Sequence, residues 1–246
     1  MTVVLKLGGS VITEKGRRET LDGEALDAAA DAVASARVDR LVLVHGAGSF
    51  GHHYADEHGT TVTDGTRDAA AAMDIHGAMT TLNRFVLSRL HDRDVPALPV
   101  HPLSAAARDA DGDLILPLDQ VRTMLDEGFV PVLHGDVVAH AGEGVTILSG
   151  DEVVTRLATG LDADRVGLCS TVSGVLDESG EVIPELTAFS DVADALGGSD
   201  ATDVTGGMAG KVRTLLDLPT PAHVFGPADL DAFLRGESPG TRVHRD

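Results

Sequence analysis

The sequence predicts an α/β sandwich built around a mostly parallel sheet, and three observations carry that prediction. Short apolar, largely β-branched runs alternate with Ala-rich helical stretches along the whole chain. Several of those runs stop abruptly at glycine, as strands do when the backbone turns out of a sheet. Hydrophobic residues fill 43% of the 246 positions, enough for a substantial core in one large domain or two lobes.

Taken in order, Thr2 to Leu7 is the first strand, closed by Gly8-Gly9-Ser10. Ligands of open parallel sheets sit beyond the carboxyl ends of strands, so Lys6 and the Gly8-Gly9 amides fall at a binding site. The polar segment Thr13 to Arg18, with Lys15, reads as a mobile flap. Asp22 to Ala36 is helical and leads into a strand at Arg40 to Val44, completing a βαβ unit. The residues after it, His45-Gly46-Ala47-Gly48-Ser49-Phe50-Gly51-His52-His53, read as a glycine loop. Such a loop lets backbone N–H groups approach an anion. An imidazole at its mouth can donate to phosphate oxygens, and His52 is assigned that place. His53 is the spectator, since successive residues cannot both face one ligand, and His45 is structural.

Arg67 to His91 reads as a long helix with Met73, His76, Met79, Leu82, Asn83 and Val86 on one face. A strand at Val95 to Val100, a hairpin turn at Asp111-Gly112-Asp113, a helix at Leu118 to Asp126 and a strand at Phe129 to Leu133 follow. Gly135 to Gly144 reads as an excursion ending in Val145-Thr146-Ile147-Leu148. Ser149-Gly150-Asp151 then opens a helix to Thr159, with the Asp151 carboxylate near its positive end. Arg165 to Ser170 is a strand, and Asp164 marks a boundary between lobes 1–163 and 164–246. A helix over Phe189 to Leu196, a loop over Gly197 to Gly210 and a helix from Gly210-Lys211 to Leu216 come next. A strand at Ala222 to Phe225, a helix at Ala228 to Leu234 and a strand at Thr241 to His244 complete the chain.

Acidic residues outnumber basic ones 39 to 19, for a formal net charge of −20. Such a field repels nucleic acid and anionic membrane, and high net charge is a lever of salt adaptation, so the chain reads as salt-adapted with neither partner. Lysine occurs only at Lys6, Lys15 and Lys211, and arginine supplies the other 16 bases. All three lysines lie beside glycine-rich or turn segments, where an ammonium can meet phosphates. Cys169 is alone in an apolar strand, which fits a buried structural thiol in a reducing compartment. The apolar start Val3-Val4-Leu5 is broken at once by Lys6, so neither leader nor membrane span is expected and the chain reads as cytoplasmic. The histidines show no metal-ligand spacing.

Gly46-Ala47-Gly48-Ser49-Phe50-Gly51 matches the dinucleotide pattern G-x-G-x-x-G, with Asp68 at a tolerable distance for a ribose acid. It follows the second strand rather than the first, however, and runs into His52-His53, which argues against a dehydrogenase. Thr205-Gly206-Gly207-Met208-Ala209-Gly210-Lys211 misplaces the first glycine of a P-loop and carries Val212 where magnesium needs a hydroxyl. What remains is a glycine turn delivering a lysine to a helix start, where amides, dipole and ammonium converge on one anion.

Two glycine turns with lysines and a third with histidine suggest two phosphorylated ligands meeting head to head. Phosphoryl transfer asks the protein mainly for positioning and charge neutralisation, which Lys6 and Lys211 could supply. Asp151 could orient the ammoniums, hold magnesium or simply cap its helix. No general base is evident. A phosphate monoester acceptor, half-ionised near pH 6, needs none.

Lys6-Leu7-Gly8-Gly9-Ser10, His45-Gly46-Ala47-Gly48-Ser49-Phe50-Gly51-His52, Ser149-Gly150-Asp151 and Asp203-Val204-Thr205-Gly206-Gly207-Met208 with Lys211 resemble the amino acid kinase superfamily. Within it they look most like the archaeal isopentenyl phosphate kinase branch. The resemblance spans nearly the whole chain and implies a three-layer αβα fold, an acceptor lobe followed by an ATP lobe, and a homodimer. It implies ATP and Mg2+ acting on a small phosphorylated isoprenoid, isopentenyl phosphate, to give isopentenyl diphosphate. It places Lys6, Leu7, Gly8, Gly9, Ser10 and Gly48 on ATP phosphates, and Gly207 and Lys211 on ATP. Ala47, His52 and Gly150 fall on the acceptor, and Lys15 on the transition state. An apolar pocket for the prenyl tail is expected from Met73, Met79 and Ile147. The rival readings are a sister kinase acting on glutamate, aspartate or UMP, and a non-catalytic nucleotide- or oxyanion-binding protein.

Overall fold

A computed structural model describes residues 1–191 and 207–245. Strand β1 (Thr2–Leu7) leads through the one-turn helix α1 (Gly9–Ile12) and helix α2 (Gly23–Ser35) to β2 (Arg40–His45). Helices α3 (Gly48–Glu57) and α4 (Ala69–His91) come next, followed by β3 (Ala97–Pro99) and α5 (Pro102–Ala105). Then come β4 (Ala107–Arg108), β5 (Leu114–Ile115), α6 (Asp119–Asp126) and β6 (Val130–His134). A hairpin of β7 (Asp136–His140) and β8 (Gly144–Leu148) precedes α7 (Gly150–Gly160) and β9 (Arg165–Cys169). The remaining described elements are β10 (Glu185–Leu186), α8 (Gly207–Leu216), β11 (Ala222–Phe225), α9 (Leu230–Leu234) and β12 (Thr241–Val243).

Among the described residues one eight-stranded sheet runs β10-β12-β11-β9-β1-β2-β6-β3. Its pairs are parallel except β11 with β12. Strand alternation sorts β1 between two faces. Val3, Leu5 and Leu7 join a core with α2, α4 and α9, whereas Val4 joins a second core with α6, α7 and α8. Helices therefore cover both faces, and the sandwich has the three layers expected. The same alternation puts Lys6 on the α7 face, at the carboxyl end of a strand buried throughout.

The structure corrects the sequence reading in five places. Residues read as a glycine loop after β2 form only a tight turn, because α3 begins at Gly48, whose φ of +52° glycine adopts without penalty. The excursion after β6 is half of a separate four-stranded sheet, β5-β4-β7-β8. Helix α8 starts at Gly207 rather than Gly210, so Lys211 stands in its second turn. Met73 is 55% exposed; the buried stripe of α4 runs instead through Ile75, Met79, Leu82 and Val86. The expected helix at Phe189 to Leu196 is a 3-10 turn over Phe189–Asp191, and its remainder lies outside the described residues with most of the Gly197 to Gly210 loop. Among the described residues no helix is long and apolar enough to cross a membrane.

Candidate active site

The carboxyl ends of β1, β2, β6 and β9 face one cavity of about 480 Å³. Lys6, Gly8, Gly9, Ser10, Lys15, Ala47, His52, Gly150, Asp151 and Lys211 all line it. Two of the residues assigned to ligands from the resemblance, Leu7 and Gly48, do not. Leu7 turns its side chain into the core and its carbonyl accepts from Gly46 N at 2.9 Å. Gly48 lies against Gly9 just behind the wall. The lining residue Met208 is the second residue of α8, which runs from Gly207.

The turns after β1 and β2 touch through main chain alone. A Cβ on Gly9 would collide with the Gly48 amide, and one on Gly46 would stand 2.6 Å from Gly9 N. Glycine is required at both positions because no side chain fits between the two backbones. The start of α7 is as close, since a Cβ on Gly150 would meet Lys6 Cε at 3.3 Å. Helices α3 and α7 thus point their amino ends, and with them the positive ends of their dipoles, at the same space.

Lys6 Nζ donates to Asp151 Oδ1 at 2.7 Å, and the two side chains are 10% and 18% exposed. Asp151 does not cap α7. That task falls to a capping box in which Ser149 Oγ accepts from Glu152 N and Glu152 Oε2 accepts from Ser149 N. Arg108 holds the other Glu152 oxygen at 2.6 Å. Asp151 is therefore free of the backbone and aims the Lys6 ammonium. Asp68, weighed as a ribose acid, caps α4 by accepting from Ala70 N.

Lys15 rides on a flap strapped to α3. Thr13 bridges Leu21 at its base, and Ser49 N donates to Thr13 Oγ1. Glu19 N donates to Ser49 O at 3.1 Å, the Tyr54 hydroxyl to Glu19 Oε1 at 3.0 Å, and the Arg18 guanidinium stacks 4.3 Å over the Tyr54 ring. His52 projects from the same helix into the cavity, whereas His53 sits outside it beside Glu57.

Beyond the turns the wall becomes apolar, with Ala55, Ile75, Met79, Ile147 and Leu148. Met79 and Ile147 stand where a tail pocket was expected, but Met73 does not. Ile75, Gly135 and Asp136 also line the cavity, and the sequence reading missed them. Ile75 was legible as the i−4 partner of Met79, and Gly135 as one more glycine ending a strand. Asp136 has a fully buried carboxylate that accepts from Val137 N and meets His76 Nδ1 at 3.0 Å. That contact raises the His76 pKa above the ordinary value. Burial pushes His45 down to about 4 and His134 to about 3, so both rings are neutral at pH 7. Cys169 is buried in β9 with its thiol pushed up to about 12, so it stays protonated and inert.

The sequence model of the amino acid kinase family matches residues 1–220. The chain belongs to the amino acid kinase family. It is 67% identical to an isopentenyl phosphate kinase of Haloferax volcanii, with 98% of each chain covered. An isopentenyl phosphate kinase of Methanothermobacter thermautotrophicus is 31% identical, again over 98% of each. A solved structure described as isopentenyl phosphate kinase superposes with a TM-score of 0.86 at 27% identity, covering 99% of this chain and all of that one. An aspartate kinase from Synechocystis shares the fold, with a TM-score of 0.70 at 18% identity over all of this chain and 40% of that one.

Among the described residues, no three His, Cys, Asp or Glu side chains group in a way that could hold a metal ion. Asp151 is engaged by Lys6 and Asp136 by His76, so neither carboxylate stands ready as a ligand. That donor set suits an ion carried by phosphate oxygens and water, the usual habit of Mg2+, rather than a protein cage.

Proposed function

We propose that this chain transfers the γ-phosphoryl group of ATP to isopentenyl phosphate, giving isopentenyl diphosphate and ADP. One observation carries the reading: all three lysines of the chain and His52 line a single cavity. Relatives that keep the same length and the same turns, and are named for this activity, support it.

In the proposed reaction an oxygen of the acceptor phosphate attacks the γ-phosphorus. The new O–P bond forms as the β–γ bridging O–P bond breaks, and its electron pair leaves with ADP. The acceptor is already ionised, so no base is called for. Lys6, aimed by Asp151, and the turn of Gly8 to Ser10, backed by Gly48, neutralise the ATP phosphates. Lys211 and the α8 start at Gly207 bind the other side of ATP. Lys15 meets charge developing on the migrating group, and preorganised donors of this kind are worth about 10² to 10³ in rate. His52, Ala47 and Gly150 hold the acceptor phosphate, with Met79, Ile147 and Ile75 against its tail. Mg2+ bound together with ATP would supply further charge neutralisation.

The acceptor belongs to residues 1–163 and the nucleotide's base and sugar to 164–246 on this reading, in a homodimeric cytoplasmic enzyme adapted to salt. His52 favours a phosphate acceptor over the carboxylates of glutamate or aspartate. The test is ADP release from purified protein given Mg2+, ATP and one acceptor at a time. Isopentenyl phosphate should drive turnover. Better turnover of glutamate, aspartate or UMP would move the chain to a sister activity, and ATP binding without acceptor-dependent ADP would make it a binding protein.

A further inference from the structure

Behind the phosphate turns lies a polar group that the proposed chemistry does not use. His45 ends β2, is 1% exposed, and contacts Gly46 O through Nδ1 at 3.1 Å. Asn83, fully buried in α4, contacts the other ring nitrogen, Nε2, at 3.1 Å. A carbonyl oxygen only accepts, so Nδ1 must carry the proton; Nε2 then carries a lone pair and Asn83 Nδ2–H donates to it. Asn83 Oδ1 is left buried without a partner. An orphan of that kind is costly. Turning the amide over would set oxygen against the Nε2 lone pair, so the orphan is what fixing the ring demands.

The consequence lies on the other side of one peptide plane. In a trans peptide the carbonyl and the following N–H point in opposite directions. An imidazole that grips Gly46 O from the core therefore turns the Ala47 N–H away from the core, where Ala47 lines the cavity. Among the described residues no protein group accepts from that N–H. The device is doubled next door. His134, paired in register with His45 and stacked on it at 5.3 Å, holds Gly135 O through Nδ1 at 2.8 Å, and Gly135 N donates to His45 O at 3.1 Å.

We propose that His45, set in its Nδ1–H form by Asn83, is a positioning residue that aims the Ala47 amide at the acceptor's phosphate. The proposal rests on the reading of function above only in naming that phosphate as the acceptor's. Glycine at position 46 makes such a clamp necessary, because a peptide beside glycine turns over cheaply.

Two measurements test it. In 15N-labelled protein, long-range correlation spectra should show His45 protonated at Nδ1 and bare at Nε2 at pH 7; a ring protonated at Nε2 overturns the proposal without any variant. In kinetics, His45→Leu should raise the KM for isopentenyl phosphate roughly 10- to 100-fold, the worth of a hydrogen bond to a charged group, with the KM for ATP within about twofold. His45→Asn puts an N–H where Nδ1–H stood and should restore most of the loss. Equal rises in both KM values, an unchanged acceptor KM in folded His45→Leu, or no rescue by Asn would overturn it.

Should the wild-type protein fail to turn over isopentenyl phosphate, the functional reading falls and the aiming proposal is judged with inorganic phosphate. The Ala47 amide resonance should shift on titration in wild-type protein and stay still in His45→Leu. If His45→Leu does not fold, the same comparison is made with Asn83→Leu, which frees the ring. A wild-type Ala47 resonance that ignores phosphate overturns the proposal.

Discussion

Replacing Asp151 by Asn removes the charge that aims Lys6 while keeping the shape of the side chain. The ion pair is short, 2.7 Å, and its members are only 10% and 18% exposed, so solvent screens it weakly. At an effective dielectric of about 20 the direct attraction is roughly 6 kcal/mol, most of which repays the desolvation of the two groups. Breaking such a pair from one side costs about 3–5 kcal/mol when it is fully buried. With this residual exposure about 2–3 kcal/mol is expected, a fall in Tm of roughly 4–12 °C for a chain of this size. The loss should shrink when ATP is present, because phosphate oxygens give the Lys6 ammonium new counter-charge. Turnover should fall about 10- to 100-fold through kcat, since the ammonium is present but no longer held. Differential scanning calorimetry with and without ATP, paired with coupled ADP detection, reads both effects. A variant with wild-type Tm in the absence of nucleotide, or with wild-type kcat, would refute the reasoning.

Lys211→Ala should cut kcat by about 10² to 10³ with Tm unchanged, because the side chain is only partly buried and supports no core. His52→Ala should act mainly on the acceptor, raising its KM about 10- to 100-fold while the KM for ATP holds; steady-state kinetics separates the two. Acid should destabilise the fold before its carboxylates titrate. His45 and His134 have folded pKa values of about 4 and 3, below the ordinary 6.5, so the unfolded chain takes up protons first. Stability is complete above pH 6.5 and declines as pH falls, each ring contributing up to about 1.4 kcal/mol per unit. Denaturant melts at pH 6.5 and 5 should differ by about 3 kcal/mol from these two rings, and equal midpoints would count against buried neutral rings. Lowering salt from molar to millimolar should lower Tm, since a formal charge of −20 then repels itself unscreened.

Residues whose chemistry is local were legible in the sequence. The turn after β1, the strand of β2 and the helix opened by Ser149 each announce themselves through glycine, apolar runs or a cap, and most of the cavity lining follows from them. Helix α3 was hidden because Gly48, Ser49, Gly51 and His52 are poor helix formers; its start rests on the left-handed Gly48 and on packing against α4, which a linear reading cannot weigh. The small sheet was hidden because β4 and β5 have two residues each, too few to show alternation. Met73 was misplaced by counting hydrophobic residues without turning the helix. Six positions separate it from Met79, which sets them about 120° apart, whereas Ile75 at four lies on the same stripe. Asn83 and His45 gave no signal as a pair, since 38 residues and helix α3 separate them.

The strap between the Lys15 flap and α3 bears on how binding energy is spent. Fixing the backbone of a residue costs roughly 1–2 kcal/mol, so a loose flap of several residues would charge each catalytic cycle for its ordering. Here Ser49, Tyr54 and Glu19 meet that cost once, during folding. The proposed acceptor, isopentenyl phosphate, has few atoms with which to organise a protein around itself. With the flap already in place, its limited affinity can go to alignment of the reacting oxygen.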